Sequence, residues 1–572
     1  MSLICVPISA YDTDSALAAA YQAQAAGADL VEFRIDTWAD AAVDPSASRK
    51  ADVATLVQQS PLPVIITCRI AAEGGGHTGS NLDRMPLYEA AADAGAAYVD
   101  IELAAYLADG AFRTLVDALP ITTKLILSTH DFETRPSDLT RRVADMLAID
   151  RCDVIKAAWT ARSLRDNLEA FELVAESAKP AVMLCMGEMG LPSRALAKKA
   201  GAAFTFAKLT DDAGTAPGQP TVAELKTLYR WDAQTPGTAV YGVIGMPVGH
   251  SMSPPIHNAG FDEISQSNPD TPWATSGGGG VYLPMPVADS YESFKATVGA
   301  WLNAQNGAST EAFRGFRGFR GASVTIPHKA NLLRFVEEEG GEIEPLAATI
   351  GAANTLTVDD DGNLRASNTD YAAILDSITH VLSCEREELK SQRVAVLGAG
   401  GAARAAVAGF ASLGAHITIY NRTPEKAEAL AETFAETATI SGGSITAQSI
   451  NAIKESLAQI YINCTPIGMH PKVDASPFDD NCPELGAGTV IFDTIYNPVE
   501  TKLLKQAWQE GCLPIPGTEM FVRQAAVQFE GWTGCLAPLD VFRRVLNNKL
   551  QHKDGAQDNR QSRDDTPNED NA

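Results

Sequence analysis

Positive charge is scarce in this chain. Lys and Arg number 45 against 71 Asp and Glu in 572 residues, a formal net charge of −26. A field of that sign repels phosphate backbones and anionic lipid, which excludes nucleic acid and membrane surfaces as expected partners. An anionic small molecule must then be met by local basic residues. Cysteines are few and odd in number, nine, with no CxxC pair and no His/Cys ligand spacing. This excludes a disulfide framework and a zinc site, leaves no metal expected, and suits reduced thiols in the cytoplasm. No apolar stretch is long enough to span a bilayer. The opening Met1-Ser-Leu-Ile-Cys-Val-Pro7 lacks the basic start and the apolar length of a signal peptide. A repeat longer than a strand–helix rhythm is also missing.

What is present is ordinary globular composition, 45% hydrophobic and 20% charged. The length predicts roughly three or four domains. Through about residue 235, eight apolar strand-like runs alternate with helix-like runs. The strands are expected near 3–8, 29–36, 63–69, 97–102, 124–130, 153–159, 181–187 and 204–209, with helices such as 14–26 and 163–178 between them. Near-continuous apolar strands are those of a parallel sheet covered on both faces. Eight such units predict a (β/α)8 TIM barrel, with an open doubly wound sheet as the rival.

Polar residues favour the barrel. Glu32 and Arg34 come late in the second strand, Arg69 ends the third, His130 ends the fifth and Lys156 lies in the sixth. Arg194 and Gln219 follow the seventh and eighth. In a barrel these ends converge on one face, where active sites form. A lysine in such a place can attack a ketone and form an imine, which acidifies the neighbouring C–H. His130 is the base for that proton and can return it to a leaving hydroxyl; Glu73 can orient it. Arg34, Arg69 and Arg194 offer guanidinium forks for a carboxylate and hydroxyls. Together they describe dehydration of a β-hydroxyketone that bears a carboxylate.

The phrases Val31-Glu-Phe-Arg-Ile-Asp36, Ile66-Thr-Cys-Arg69 with Glu73, Ser128-Thr-His-Asp131, Asp153-Val-Ile-Lys-Ala-Ala-Trp159, Gly187-Glu-Met-Gly-Leu-Pro-Ser-Arg194 and Ala216-Pro-Gly-Gln219 resemble type I 3-dehydroquinate dehydratase. The resemblance implies Lys156 as the Schiff-base lysine, His130 as general acid/base and Glu73 as its support. It implies Glu32, Arg34, Arg69, Arg194 and Gln219 as substrate contacts. Thr215 stands where bacterial members usually carry Ser, and keeps the hydroxyl for substrate binding.

The polar stretch 231–238 is the expected domain boundary. Beyond it, Ser251 and Ser253 alternate around Met252 in a Ser/Pro-rich phrase that suits either polyol recognition or a turn. Lys329 follows a strand-like run in Ser323-Val-Thr-Ile-Pro-His-Lys329, and Asp370 ends Ser367-Asn-Thr-Asp370. A lysine and an aspartate brought together form a proton-transfer pair. In Gln392-Arg-Val-Ala-Val-Leu-Gly-Ala-Gly-Gly-Ala-Ala-Arg404, a strand runs into a Gly-rich turn and an Ala-rich helix. Gly398, Gly400, Gly401 and Ala402 there allow a phosphate to approach a helix N-terminus. The next strand ends in Asn421, Arg422 and Thr423, where an NAD site would carry an acid. A cationic fork suits a 2′-phosphate, which predicts NADP(H).

These phrases, with Asn463-Cys-Thr-Pro-Ile-Gly-Met469, Asp493-Thr-Ile-Tyr-Asn-Pro498 and Met520-Phe-Val-Arg-Gln524, resemble shikimate dehydrogenase. The resemblance implies Lys329 and Asp370 as the catalytic pair. It implies Ser251, Ser253, Thr325, Asn354, Tyr496 and Gln524 as substrate contacts, and Thr465 with the Gly-rich turn and residues 421–423 as the NADP site. The division it implies is a barrel over 1–235, a shikimate-binding domain over 240–375 and 518–549, and a Rossmann-like domain over 385–517. Residues 550–572 are expected to be a disordered tail, and 262–280 and 303–321 flexible surface insertions. The expected function is a fused shikimate-pathway enzyme acting on 3-dehydroquinate, 3-dehydroshikimate and shikimate. A dehydrogenase half preferring quinate, or a non-catalytic regulator that senses these metabolites, are the alternatives.

Overall fold

Residues two apart on a strand share a face, and this period builds the interior of the first fold. The computed structural model describes residues 2–36, 47–210, 216–269, 271, 273, 279–306 and 318–564. Its first eight strands are β1 (Leu3–Ser9), β2 (Leu30–Arg34), β3 (Val64–Thr67), β4 (Tyr98–Glu102), β5 (Lys124–Asp131), β6 (Val154–Thr160), β7 (Ala181–Met186) and β8 (Phe204–Phe206). The series Leu30-Glu32, Ile65-Thr67, Tyr98-Asp100-Glu102, Ile126-Ser128-His130 and Val154-Lys156 each start apolar and turn polar toward the strand's C-terminal end. The apolar starts pack with Cys5, Val182, Leu184, Phe204 and Phe206 in one core cluster. The polar ends are left to gather at the other end.

The strand order is β7-β6-β5-β4-β3-β2-β1-β8, every neighbouring pair parallel. A hydrogen bond from Ala203 N–H, one residue before β8, to Ala181 O of β7 at 2.8 Å joins the two ends of that order. The barrel expectation holds and the open sheet does not. β8 is shorter than expected because Lys208 leaves it for a bridge with Thr221.

The chain divides into two compact units. The first holds Met1–Tyr241, Met246–Gly249 and Asp270–Phe319; the second holds Gly242–Gly245, His250–Pro269 and Arg320–Ala572. Residues 231–238, read as a boundary, group with the first unit. There Trp231 is buried, and Gln234 Nε2 donates to Ala195 O and Tyr229 O, each at 2.8 Å.

The next strands are β9 (Ala239–Gly245), β10 (Gly280–Pro286), β11 (Phe319–Val324), β12 (Glu342–Ile343), β13 (Thr355–Val358) and β14 (Leu364–Ser367). In the second unit β11, β13 and β14 are successive antiparallel neighbours, and β12 runs parallel to β14. Thr325 N–H donates to Ile244 O at 2.9 Å, which ties the end of β9 beside β11. The third sheet holds β15 (Arg393–Leu397), β16 (His416–Asn421), β17 (Ser444–Ser449), β18 (Ile460–Asn463), β19 (Val490–Asp493) and β20 (Leu513–Ile515). It is wholly parallel in the order β17-β16-β15-β18-β19-β20, so its direction of winding reverses between β15 and β18. The helix Gly401–Leu413 packs onto it through the small buried residues Ala405, Ala406, Ala408 and Ala411, which let helix and sheet approach closely.

Three stretches expected to be irregular contain regular structure. Residues 303–306 end the helix Tyr291–Asn306, and 319–321 begin β11. Residues 262–267 belong to the helix Ser253–Ser267, held by buried Phe261 and Ile264. The helix Leu539–Asp564 enters the expected tail, where Gln, Lys, Ala and Arg continue a helix already anchored by buried Phe542, Leu546 and Leu550. Residues 565–572 and 307–317 lie outside the described residues, as do 274–278.

Candidate active sites

Lys156 lies midway along β6, facing the barrel axis and buried. Its Nζ donates to Asp100 Oδ2 at 2.8 Å and lies 3.4 Å from Glu32 Oε1. The ring of Phe206 flanks it, 4.2 Å from Nζ to the centroid. Arg69 completes the cluster. Its Nη2 donates to Asp100 Oδ1 at 2.8 Å, and its Nη1 to Glu102 Oε1 at 3.0 Å and Ser128 Oγ at 2.8 Å. Behind it, fully buried Arg84 donates to Glu102 Oε2 at 2.6 Å. Glu32, Asp100 and Glu102 thus face Lys156, Arg69 and Arg84, three charges of each sign. Pairing of this kind is what makes burial of ions tolerable. Burial alone would raise the Asp100 carboxyl, but Arg69 and Lys156 outweigh it and hold it far below the usual range.

His130 ends β5 against Glu73, which comes from the short helical turn Ala71–Glu73 after β3. Glu73 Oε2 accepts from His130 N–H at 2.9 Å and lies 3.0 Å from Nδ1. Burial, then the positive charges of Arg69 and Lys156, push the imidazole well below its ordinary value, so it rests neutral. Burial pushes Glu73 up to about 7 against the pull of Arg69. A neutral imidazole with a carboxylate at Nδ1 is a base at Nε2.

The three arginines differ in what they can offer. Arg34 is engaged by both oxygens of Asp36, at 2.7 and 3.0 Å. Arg69 is held by Asp100 and Glu102. Arg194, on the helix Leu191–Ala195, is buried with no carboxylate partner among the described residues; its Nη1 reaches only Phe206 O, at 3.4 Å. Burial lowers its guanidinium to about 10. An uncompensated buried cation is an anion site in waiting. Gln219 is buried after β8, and Thr215 lies outside the described residues. A cavity of about 920 Å³ lined by Leu3, Tyr98 and Phe204 lies at the opposite end of the strands, away from this chemistry.

In the second unit Lys329 Nζ donates to Asp370 Oδ2 at 2.5 Å, and Asn354 Nδ2 to Asp370 Oδ1 at 2.8 Å. Lys329 opens the helix Lys329–Glu338, and Asp370 lies in the first turn of Thr369–Leu382. Thr325 directly follows β11. Ser253 N–H donates to Ser251 Oγ at 3.2 Å, and Tyr496 and Gln524 both adjoin Phe521. Among the described residues, no hydrogen bond joins these two groups to Lys329 or Asp370.

The Gly-rich turn lies where the third sheet reverses. Gly398 has φ +105°, and a Cβ there would meet Cys464 O at 3.0 Å; one at Gly400 would meet nothing within 4 Å. Gly400 caps the helix Gly401–Leu413, whose first N–H groups include those of Gly401 and Ala402. Thr465 is fixed by Asn463, which accepts from its N–H at 3.0 Å and its hydroxyl at 2.7 Å. At the end of β16, Asn421 Nδ2 donates to Thr423 O at 2.8 Å, and Arg422 is exposed with no carboxylate partner among the described residues. A dinucleotide bearing an extra phosphate fits this cradle.

Asp100, Glu102 and Arg84 do not stand out in the sequence as site residues, and Ser128 enters only within the phrase Ser128-Thr-His-Asp131. A signal existed: Tyr98-Val-Asp-Ile-Glu102 places two acids on one face of an otherwise apolar strand.

The chain matches four known families in succession. These are type I 3-dehydroquinase over residues 4–236, the shikimate dehydrogenase substrate binding domain over 286–356, shikimate/quinate 5-dehydrogenase over 381–470, and the shikimate 5′-dehydrogenase C-terminal domain over 517–546. The chloroplastic bifunctional 3-dehydroquinate dehydratase/shikimate dehydrogenase of Arabidopsis thaliana is 34% identical over 558 residues, covering 96% of this chain and 84% of its own length. The NADP(+) shikimate dehydrogenase of Methanothermobacter thermautotrophicus is 38% identical over 319 residues, covering 54% of this chain and 98% of its own. A crystal structure of a shikimate dehydrogenase in complex with NADP+ aligns at 31% identity and a TM-score of 0.44, covering 55% of this chain and 96% of that one.

Proposed function

Because the chain belongs to the family of bifunctional 3-dehydroquinate dehydratase/shikimate dehydrogenases, we propose that its barrel dehydrates 3-dehydroquinate and its second half reduces the product to shikimate with NADPH. The observation that carries the first reaction is a buried Lys156 beside a neutral His130 held by Glu73. Arg194, which has no carboxylate partner among the described residues, takes the substrate carboxylate; Glu32, Arg34, Arg69 and Gln219 contact the ring hydroxyls, and the Thr215 hydroxyl is the remaining substrate contact. Lys156 attacks the ketone with loss of water and forms an imine, for which it must release its proton. His130 removes the proton from the carbon next to the imine. It then delivers that proton to the departing hydroxyl, and the double bond forms as water leaves. Hydrolysis of the imine frees 3-dehydroshikimate and restores the lysine.

In the second half Lys329 and Asp370 flank the carbonyl and manage the proton on its oxygen, with Asn354 fixing Asp370. Ser251, Ser253, Thr325, Tyr496 and Gln524 are the remaining substrate contacts. When bound, NADPH supplies the hydride. Gly398, Gly400, Gly401 and Ala402 give its diphosphate room and N–H donors, Thr465 borders it, and Asn421, Arg422 and Thr423 hold the 2′-phosphate. The proposed division is a barrel over 1–235, a substrate domain over 240–375 and 518–549, and an NADP domain over 385–517. The family matches follow that order along the chain, which supports it. No helix among the described residues is long and apolar enough to cross a membrane. The cytoplasm is the proposed compartment, supported by nine cysteines all in the free state.

Borohydride added with 3-dehydroquinate is expected to leave a stable adduct on the peptide containing Lys156. Lys156→Ala is expected to abolish dehydration and the adduct while reduction of 3-dehydroshikimate continues. Loss of both activities in a folded variant would contradict the two-site reading.

A further inference from the structure

The helix Gly517–Thr533 carries Gln524, Gln528 and Trp532 four residues apart, hence on one face. That face is stitched to β13. Trp532 Nε1 donates to Leu356 O at 3.0 Å. Gln528, 1% exposed, donates through Nε2 to Thr355 Oγ1 at 2.9 Å and Asn354 O at 3.2 Å, and its Oε1 accepts from Ser323 Oγ at 2.7 Å. A backbone carbonyl only accepts, so the Gln528 amide has one orientation. Thr355 Oγ1 accepts from Nε2 and donates through its own hydroxyl to Asn354 Oδ1, 2.8 Å away. Asn354 Oδ1 also accepts from Thr369 N–H at 2.8 Å, which leaves Nδ2 to donate to Asp370 Oδ1. Every hydrogen bond between the helix and Asp370 therefore has a fixed direction.

We infer that Gln528 is a positioning residue of the dehydrogenase, which sets Asn354 and Gln524 in register around the substrate of the Lys329–Asp370 pair. The inference rests on the reduction proposed above. Gln528 itself touches neither substrate nor cofactor. Its loss frees the Thr355 hydroxyl to turn from Asn354 and unties the helix that carries Gln524. A merely structural strut would lower stability and impair everything the unit does, the NADP site included.

The test uses the whole chain: barrel activity measures the amount of active protein, and KM for NADP reports on the folding of the second unit. Gln528→Leu is expected to lower kcat/KM for shikimate oxidation by about ten-fold or more, the usual effect of stranding buried polar groups. KM for NADP and the rate of 3-dehydroquinate dehydration are expected to stay unchanged. Gln528→Glu is expected to match Gln528→Leu at high pH and to recover as pH falls, because only its acid form can donate to Asn354 O. If Gln528→Leu does not fold, Thr355→Val keeps the shape, removes the hydroxyl and carries the same expectation. A wild-type rate in the variant, or a loss matched by a rise in KM for NADP, overturns the inference. No shikimate oxidation by the unmutated protein would instead reject the underlying reading.

Discussion

Glu73 pairs with His130, yet burial favours its neutral form, with a value near 7 in the folded protein against an ordinary 4.5. An acid whose folded value is raised contributes stability below its unfolded value and loses it as pH rises through the folded one. The window here is about pH 4.5 to 7, and above it ionised Glu73 costs stability. Catalysis has the opposite demand, since the ionised carboxylate supports the imidazolium that forms during proton transfer. Dehydration is therefore expected to fall as pH drops through about 7. Glu73→Gln should slow dehydration and raise Tm more at pH 8 than at pH 5, checked by initial rates and thermal melts. A Tm gain independent of pH would show that Glu73 is not the group that titrates. At this scale Lys156, His130 and Glu73 are legible because their residue types announce chemistry. The partners of Asp100 and Arg84 are not, because Asp100 meets Arg69 and Lys156 across strand register and Arg84 reaches Glu102 from the helix Asn81–Asp93. Arg34 is legible as a cation, and Asp36 two residues on shares its face, but the sequence does not show that this one carboxylate holds both arms of its fork.

The turn between β15 and its helix shows what an element adds to its residues. Gly398 has a left-handed backbone at φ +105°, and Cys464 O crowds the place of its Cβ. Only glycine satisfies both conditions cheaply. Gly398→Ala is expected to raise KM for NADP by about ten-fold, as a strain of 1–2 kcal/mol would. Dehydration, measured on the same sample, should not change; equal damage to both would mean that the turn matters for folding rather than for the cofactor. Elements with strong periodicity are legible in sequence, as β1 to β7 show within a residue or two. β8 is not, because Lys208 looks like a strand residue but bridges Thr221 instead. The helical continuation past residue 550 also escapes the sequence, because a polar stretch inherits its helical order from the apolar turns before it.

For the whole molecule, the order of the two chemistries along one chain is legible from motifs alone, and the fold class with it. The grouping of residues 270–319 with the barrel in one compact unit is not, because it depends on contacts that no local pattern encodes. The central claim is that one polypeptide carries two successive reactions at separate sites, the second acting on what the first releases. The most direct test is NADPH oxidation by the purified protein given 3-dehydroquinate, with no other enzyme present. The account predicts NADPH loss that requires 3-dehydroquinate, stops in Lys156→Ala, and returns to that variant when 3-dehydroshikimate is supplied. No NADPH loss from the intact protein with either substrate would contradict it.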